Sequence, residues 1–307
     1  MTRRSIIYPA FIISGVAGLM YEALWGRYLG LYVGHSAYAQ VLVLGVYLGG
    51  MSIGALSVGE RSKSLSSPLM WYARVEAALA VFGILFHPIF VGMLDLSYDV
   101  VFPALGSAGG VGAVRWGLAG LVIMPQAILL GTTFPLMAAG LVRADQSRPG
   151  RGVATVYLLN TLGGAAGVLI AGFWLIDRVG LPGTSVAAAL LNLSAAALVW
   201  FAVRGQTPAS ADASAGLGTS EDEVERLAHA PESGTNHGGE SGDASAPSWA
   251  SPRLASVLLT VSFLTAMASF AYEIGWIRML SLVLGSATHS FELMVSAFVL
   301  GLAAGAW

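Results

Sequence analysis

The chain has 307 residues, of which 56% are hydrophobic and only 10% are charged, and its mean hydropathy is +0.73. Soluble domains carry about 25% charged residues, so this composition excludes an ordinary soluble protein and indicates an integral membrane protein. The net charge of −2 argues against a nucleic-acid partner, and the absence of cysteine excludes disulfides and thiol catalysis.

Eight segments are apolar and long enough to cross a bilayer, which takes about 20 helical residues. They cover residues 6–31, 38–58, 69–94, 115–142, 153–176, 185–203, 254–284 and 288–307. Basic residues are concentrated in alternate loops, as is typical of the cytoplasmic side: Arg3, Arg4, Arg61, Lys63, Arg143, Arg148, Arg151 and Arg204. The sequence therefore predicts an all-α, transporter-like bundle in the cell (inner) membrane, with a cytoplasmic N-terminus.

Residues 205–252 have a different composition, rich in Ala, Ser and Gly, with eight acidic residues against Arg226. Such a segment cannot bury enough apolar surface to offset the entropy lost on ordering. We therefore predict a disordered, acidic cytoplasmic linker between a membrane region at residues 1–204 and a second one at residues 253–307.

One heptapeptide occurs twice, as YEALWGR at residues 21–27 and as YEIGWIR at residues 272–278. Around it, residues 12–55 align with residues 263–306 without a gap, at a constant offset of 251 (263 minus 12). The copies lie in the first and the seventh span, six spans apart, so both have the same orientation, as in the parallel six-span repeats of major facilitator transporters. The first repeat is complete, whereas the second contains two spans, so we expect the chain to be a fragment.

Each copy of the heptapeptide carries ionisable side chains next to an apolar span, where they are expensive and call for a partner or a function. These candidates are Glu22, Arg27, Glu273 and Arg278. In one interpretation the glutamates bind a proton or a cation in a central cavity. In the other, Glu22 pairs with Arg278 or Glu273 with Arg27, which locks the two halves together. The motif also contains four aromatic residues: Tyr21, Trp25, Tyr272 and Trp276.

Other polar and small residues within the spans have two interpretations each. Asn160 either contacts a substrate or forms an interhelical hydrogen bond. Arg74 and Glu76 are predicted to lie at the cytoplasmic interface. Glycines four apart favour close helix packing: Gly45 and Gly49, Gly50 and Gly54, Gly163 and Gly167, Gly301 and Gly305. No histidine pair has metal-ligand spacing, so neither a metal nor a cofactor is predicted.

Three motifs follow one another in the chain: the heptapeptide followed by Gly34, LGTTFPL at residues 130–136, and NTLG at residues 160–163 followed by Gly167. Together they resemble the membrane region of the fused major facilitator superfamily (MFS)/spermidine synthase family. In that family a multi-span region is commonly joined to a cytoplasmic domain similar to spermidine synthase. Such a domain transfers an aminopropyl group from decarboxylated S-adenosylmethionine to a diamine.

The resemblance implies a polyamine-like cation as the small-molecule partner, beside the lipid bilayer. The sequence has no glycine-rich nucleotide loop after a strand, so we expect no aminopropyl transfer by this chain; a synthase domain would follow Trp307. Three functions stay open. The chain is a module that binds or moves a polyamine-like cation, the membrane anchor of an aminopropyltransferase whose catalytic domain is absent, or a structural scaffold.

Overall fold

The computed structural model describes residues 3–34, 36–144, 149–204 and 252–306, and within these ranges it contains helices and no strand. The α-helices are α1 (Arg3–Val33), α2 (Ser36–Ser64), α3 (Pro68–Leu96), α4 (Phe102–Leu105), α5 (Ala108–Ala144), α6 (Pro149–Ile170), α7 (Ile176–Arg204), α8 (Pro252–Leu284) and α9 (Ala287–Ala306). Single π-helical turns cover Ser97–Val101 and Ala171–Leu175. The predicted linker, apart from Pro252, lies outside the described residues.

Two compact units divide the chain. One consists of Met1–Arg204 together with Tyr272–Trp307, and the other of Gly205–Ala271. In the second unit, the structure describes only residues 252–271, which form the N-terminal part of α8. All contacts described below lie within the first unit.

Six helical stretches are long and apolar enough to cross a membrane, which indicates a membrane protein. They are Ile6–Val33, Tyr38–Ser64, Pro68–Leu105, Ala108–Arg143, Gly152–Arg204 and Leu254–Leu284, and a shorter apolar helix covers His289–Gly305. A helix satisfies its own backbone hydrogen bonds, which hydrocarbon requires of any spanning segment. Large apolar side chains on the outer surface, such as Leu31 and Leu56 at 72% and 83% exposure, suit a lipid-facing surface.

The 53-residue stretch Gly152–Arg204 is too long to be one span. At 1.5 Å per residue it would extend about 80 Å, against a hydrocarbon core of about 30 Å. It breaks at Gly180, whose φ of 69° and ψ of −179° are strained for any residue with a side chain. Helices α6 and α7 both pack along α1, so the chain reverses direction near Gly180. The predicted boundary between residues 176 and 185 coincides with this break.

Helix α1 lies at the centre of the unit, because α2, α5, α6 and α7 all pack against it. Its aromatic side chains are among the largest fully buried ones, including Phe11, Tyr21, Trp25 and Tyr32. The rings of Tyr21 and Trp25 stack with centroids 6.1 Å apart. The first copy of the heptapeptide is therefore part of the core.

Glycines set the closest helix contacts. A Cβ atom on Gly163 or Gly167 of α6 would overlap the backbone oxygen of Ile12 or Val16 in α1. The Gly50 and Gly54 pair lies against α5, where added Cβ atoms would overlap the Cβ atom of Ala127 and the backbone oxygen of Ile128. The other two predicted pairs have no neighbour within 4 Å among the described residues: Gly45, Gly49, Gly301 and Gly305. In α2 this follows from the helical period, which turns Gly49 about 100° away from Gly50.

Candidate functional site

A cavity of about 300 Å³ opens between α1, α2, α5, α6, α9 and the Tyr272–Leu284 part of α8. This volume is at the lower end of the range for small-molecule sites. Most of the wall is apolar, as in typical ligand pockets, and a few polar side chains interrupt it. These are Ser14, Glu22, Tyr47, Thr133, Tyr157, Asn160, Thr161 and Glu273.

Among the described residues of the cavity wall, the two glutamates of the repeated heptapeptide, Glu22 and Glu273, are the only charged ones. They are 3% and 7% exposed, respectively. The ion pairs between described residues involve neither of them. Two carboxylates that share a small, mostly apolar cavity without a neighbouring cation form a site of negative charge, which a positively charged ligand would neutralise.

The cavity lies where equivalent positions of the sequence repeat meet. Glu22 and Glu273 differ by the repeat offset of 251 (273 minus 22), and four more pairs at this offset also line the cavity. These pairs are Leu44 and Val295, Tyr47 and Phe298, Leu48 and Val299, and Met51 and Leu302. Half of the cavity-lining residues are therefore related by the repeat.

Three polar wall residues, Tyr157, Asn160 and Thr161, come from α6, where Asn160 lies directly over Gly15 of α1. A Cβ atom on Gly15 would overlap the backbone oxygen of Asn160, so only glycine permits this approach. The Asn160 side chain has no hydrogen bond to another described residue, and it lines the cavity together with Tyr157. Of its two interpretations, the position suits ligand contact better than an interhelical hydrogen bond.

Arg27 pairs with a residue that the sequence had not indicated. Its Nη2 atom lies 2.6 Å from Oε1 of Glu292 in α9, and it also donates to the backbone oxygen of Gly172 at 3.0 Å. The expected partner was Glu273. Arg27 is five residues from Glu22, about 140° round the helix, so it faces away from the cavity and toward α6 and α9.

Two further residues, His289 and Gly172, lie against the ion pair between Arg27 and Glu292. Nδ1 of His289 lies 3.0 Å from Oε2 of Glu292, and the His289 ring stacks on Phe173 at 4.7 Å. A Cβ atom on Gly172 would overlap the Glu292 carboxylate, so a larger residue there would displace the carboxylate from its present position. The carbonyl that Arg27 contacts belongs to the π-helical turn Ala171–Leu175, the kind of turn that often occurs at functional sites.

The second arginine, Arg278, forms no equivalent ion pair with a residue that the structure describes. It is exposed and borders a small pocket with Gln40 and Val41. Val41 occupies the position equivalent to Glu292 at the repeat offset (292 minus 251), so an apolar residue stands where a carboxylate would be needed. Its motif neighbours Tyr272 and Trp276 are exposed by 66% and 51%, unlike their buried counterparts in α1.

Glu76 is fully buried, which corrects its predicted interfacial position. It lies about two turns inside α3, which begins at Pro68, on a face that packs within the unit. Oε1 of Glu76 accepts a hydrogen bond of 2.6 Å from Ser14 Oγ, and Ser14 also lines the cavity. Sequence position alone had suggested the interface, because Glu76 is only three helical turns from a basic loop.

Within the described residues, no group of three or more His, Asp or Glu could hold a metal ion. No protein-family model matches the sequence, and neither a curated protein nor a solved structure is significantly similar to it. Function is therefore inferred from the geometry of the cavity.

Proposed function

We propose that the chain is a transporter-like membrane module that binds a polyamine-like cation in the cavity, with Glu22 and Glu273 as the ammonium-binding groups. One observation carries the proposal: two repeat-related carboxylates meet in a cavity whose described wall contains no basic residue. Hydrogen bonds between an ammonium and a carboxylate are about twice as strong as neutral ones. A ligand with two ammonium groups would satisfy both carboxylates at once.

The rest of the wall supports an organic cation rather than a bare metal ion. Tyr47, Tyr157 and Phe298 bring aromatic rings to the cavity, and a cation near an aromatic face gains about 0.5 to 2 kcal/mol. The Asn160 amide adds an acceptor that could bind an N–H group. The apolar residues between these groups suit the methylene segments of a polyamine.

The proposed architecture is that of the MFS-like repeat: six spans, a linker and the first two spans of a second, parallel repeat. The break at Gly180 supports a division of Gly152–Arg204 into two spans, and His289–Gly305 would be the last. The five repeat-related pairs in the cavity wall support a pseudo-twofold axis through the site. The basic loops support an inner-membrane orientation with a cytoplasmic N-terminus.

The ion-pair interpretation of the repeated motif applies to Arg27 instead. Its contact with Glu292 joins α1 to α9, and neither residue is part of the described cavity wall. The two interpretations of the motif are thus divided between its residues. Arg27 holds helices together, and Glu22 and Glu273 bind the cation.

Spermidine binding tests the proposal. We expect Glu22→Gln and Glu273→Gln each to weaken binding by at least about tenfold, or 1.4 kcal/mol, because each removes one charge partner of the ligand. The double substitution should abolish binding. Equilibrium dialysis of the purified full chain in nanodiscs with radiolabelled spermidine and putrescine measures the dissociation constant of each amine.

Glu60→Gln is the matched control, because Glu60 lies on α2 with an 88% exposed side chain and is remote from the cavity wall. It should bind spermidine like the parent chain. The proposal is wrong if the parent chain binds neither amine at millimolar concentration, or if the double substitution leaves affinity unchanged.

A further inference from the structure

Glu76 of α3 is a further buried acid, and it lies outside the cavity wall. It is fully buried, and its Oε1 accepts the hydrogen bond from Ser14 Oγ. Its Oε2 has no hydrogen-bond partner among the described residues, and none of their ion pairs involves it. A carboxyl group in such a place is neutralised by a proton unless a cation is near.

The groups that face Glu76 come from three helices. The hydroxyls of Tyr72 in α3 and of Tyr21 in α1 are the titratable groups close to it. Asn192 of α7 lies at about the same depth as Glu76. Ser185 of α7 donates a hydrogen bond to the backbone oxygen of Gly83 in α3, and the two helices are antiparallel. Asn192 is seven residues after Ser185 in α7, and Glu76 is seven residues before Gly83 in α3. No basic side chain in the described parts of α1, α5 or α7 stabilises the charged form of the Glu76 carboxyl group.

These neighbours leave several buried polar atoms without a partner. The Tyr72 hydroxyl and both side-chain polar atoms of Asn192 have no hydrogen bond within the described residues, like Oε2 of Glu76. Buried polar groups are satisfied in the great majority of cases, so such a cluster calls for an explanation. A carboxyl that gains and loses a proton needs neighbours that can reorient, and unpartnered hydroxyl and amide groups meet this requirement.

Ser14 connects Glu76 to the cavity. Its hydroxyl donates to Glu76 and its side chain also borders the cavity that contains Glu22 and Glu273. A hydroxyl can donate and accept at the same time. The Tyr72 hydroxyl is the other polar group next to Glu76, but Tyr72 does not line the cavity, so Ser14 is the direct route from Glu76 to the cavity.

We propose that Glu76 is a proton-binding site coupled to the cation cavity through Ser14, so that cation binding releases a proton. The inference rests on the proposed cation-binding function. In the release step, the Glu76 carboxyl donates its proton to Ser14 Oγ, and Ser14 gives its own hydroxyl proton to water in the cavity. Glu76 becomes a carboxylate that accepts the hydrogen bond from Ser14, and one proton leaves the protein.

The charge balance gives this coupling its direction. A cation beside Ser14 favours the charged form of Glu76, and protonation of Glu76 in turn weakens cation binding, because linkage is reciprocal. Affinity for spermidine should therefore rise with pH, by up to about tenfold per pH unit for one linked proton. Each bound cation would be exchanged for up to one proton from Glu76.

Calorimetry with two buffers of different ionisation enthalpy counts the protons released when spermidine binds to the full chain in nanodiscs. Glu76→Gln should bind spermidine within about threefold of the parent chain at low pH, where Glu76 is protonated in the parent. Glu76→Gln should release fewer protons on binding spermidine than the parent chain, by up to one proton, and its affinity for spermidine should rise less with pH. Glu60→Gln is the control and should match the parent chain in both quantities.

Other results separate the two proposals. If Glu76→Gln releases as many protons as the parent chain, the coupling is wrong, even though cation binding stands. If the parent chain binds no amine, the coupling falls together with the proposed function. The proton site is then decided by infrared spectroscopy, in which a protonated-carboxyl band should titrate in the parent chain and be absent in Glu76→Gln. Identical spectra would overturn the site as well.

Discussion

Replacement of Arg27 by methionine is expected to lower the free energy of unfolding by about 3 kcal/mol. The substitution keeps an unbranched side chain but removes the guanidinium, which leaves the Glu292 carboxylate, 2% exposed, with His289 as its remaining partner. Removal of one member of a buried ion pair is costly because the other charge stays buried and unpaired. Equilibrium unfolding of the full chain in mixed detergent micelles measures the loss.

The exposed pair between Lys63 and Glu60 provides the control. Its nitrogen–oxygen distance of 2.8 Å is similar to that of the buried pair, but its side chains are 69% and 88% exposed. Surface ion pairs contribute about 0 to 1 kcal/mol, so Lys63→Met should have little effect. Equal losses for the two substitutions would show that the Arg27 contact contributes no more than a surface pair.

Adding one methyl group to each glycine of the α6 pair should also destabilise the chain, by about 3 kcal/mol or more. In Gly163→Ala/Gly167→Ala the new Cβ atoms would meet the backbone oxygens of Ile12 and Val16. Backbone atoms cannot rotate aside as a side chain can, so α6 must move away from α1. This movement would also shift Asn160 in the cavity wall, so both unfolding and spermidine binding should change.

The matched control is Gly45→Ala/Gly49→Ala, because this pair has the same spacing but an added Cβ atom would meet no described atom within 4 Å. Alanine favours a helix over glycine by about 0.5 to 1 kcal/mol per residue, so the control should be neutral or slightly more stable. A similar loss of stability in both double variants would contradict close α1–α6 packing. A stable α6 variant would contradict it as well.

Much of the architecture follows from the sequence because hydropathy reports it directly. Apolar runs predicted helices long enough to cross a membrane, and six such stretches are present. The break near Gly180 could be anticipated because the residues around it interrupt the apolar run. The meeting of Glu22 and Glu273 in one cavity follows from their equivalent places in a repeat, which an alignment of the chain with itself reveals.

The partners of individual side chains were harder to predict. Glu292 has no counterpart in the first copy of the repeat, where Val41 occupies its position, so a search for repeated charges misses it. The burial of Glu76 depends on which face of α3 is turned inward, and a helix that is apolar nearly all round does not reveal this. An acid within an apolar run is the signal that would have identified both residues.

The ion pair between Arg27 and Glu292 joins residues that are 265 positions apart in the chain. Ribosomes add about 5 to 20 residues per second, so Glu292 is synthesised about 13 to 53 seconds after Arg27. During that interval α1 lies in the membrane while Arg27 has no carboxylate partner. Because Arg27 lies only six residues before the end of α1 at Val33, its long side chain can reach the polar interface meanwhile. Closure of this contact would thus be a late event in assembly, after the helices around α1 are in place.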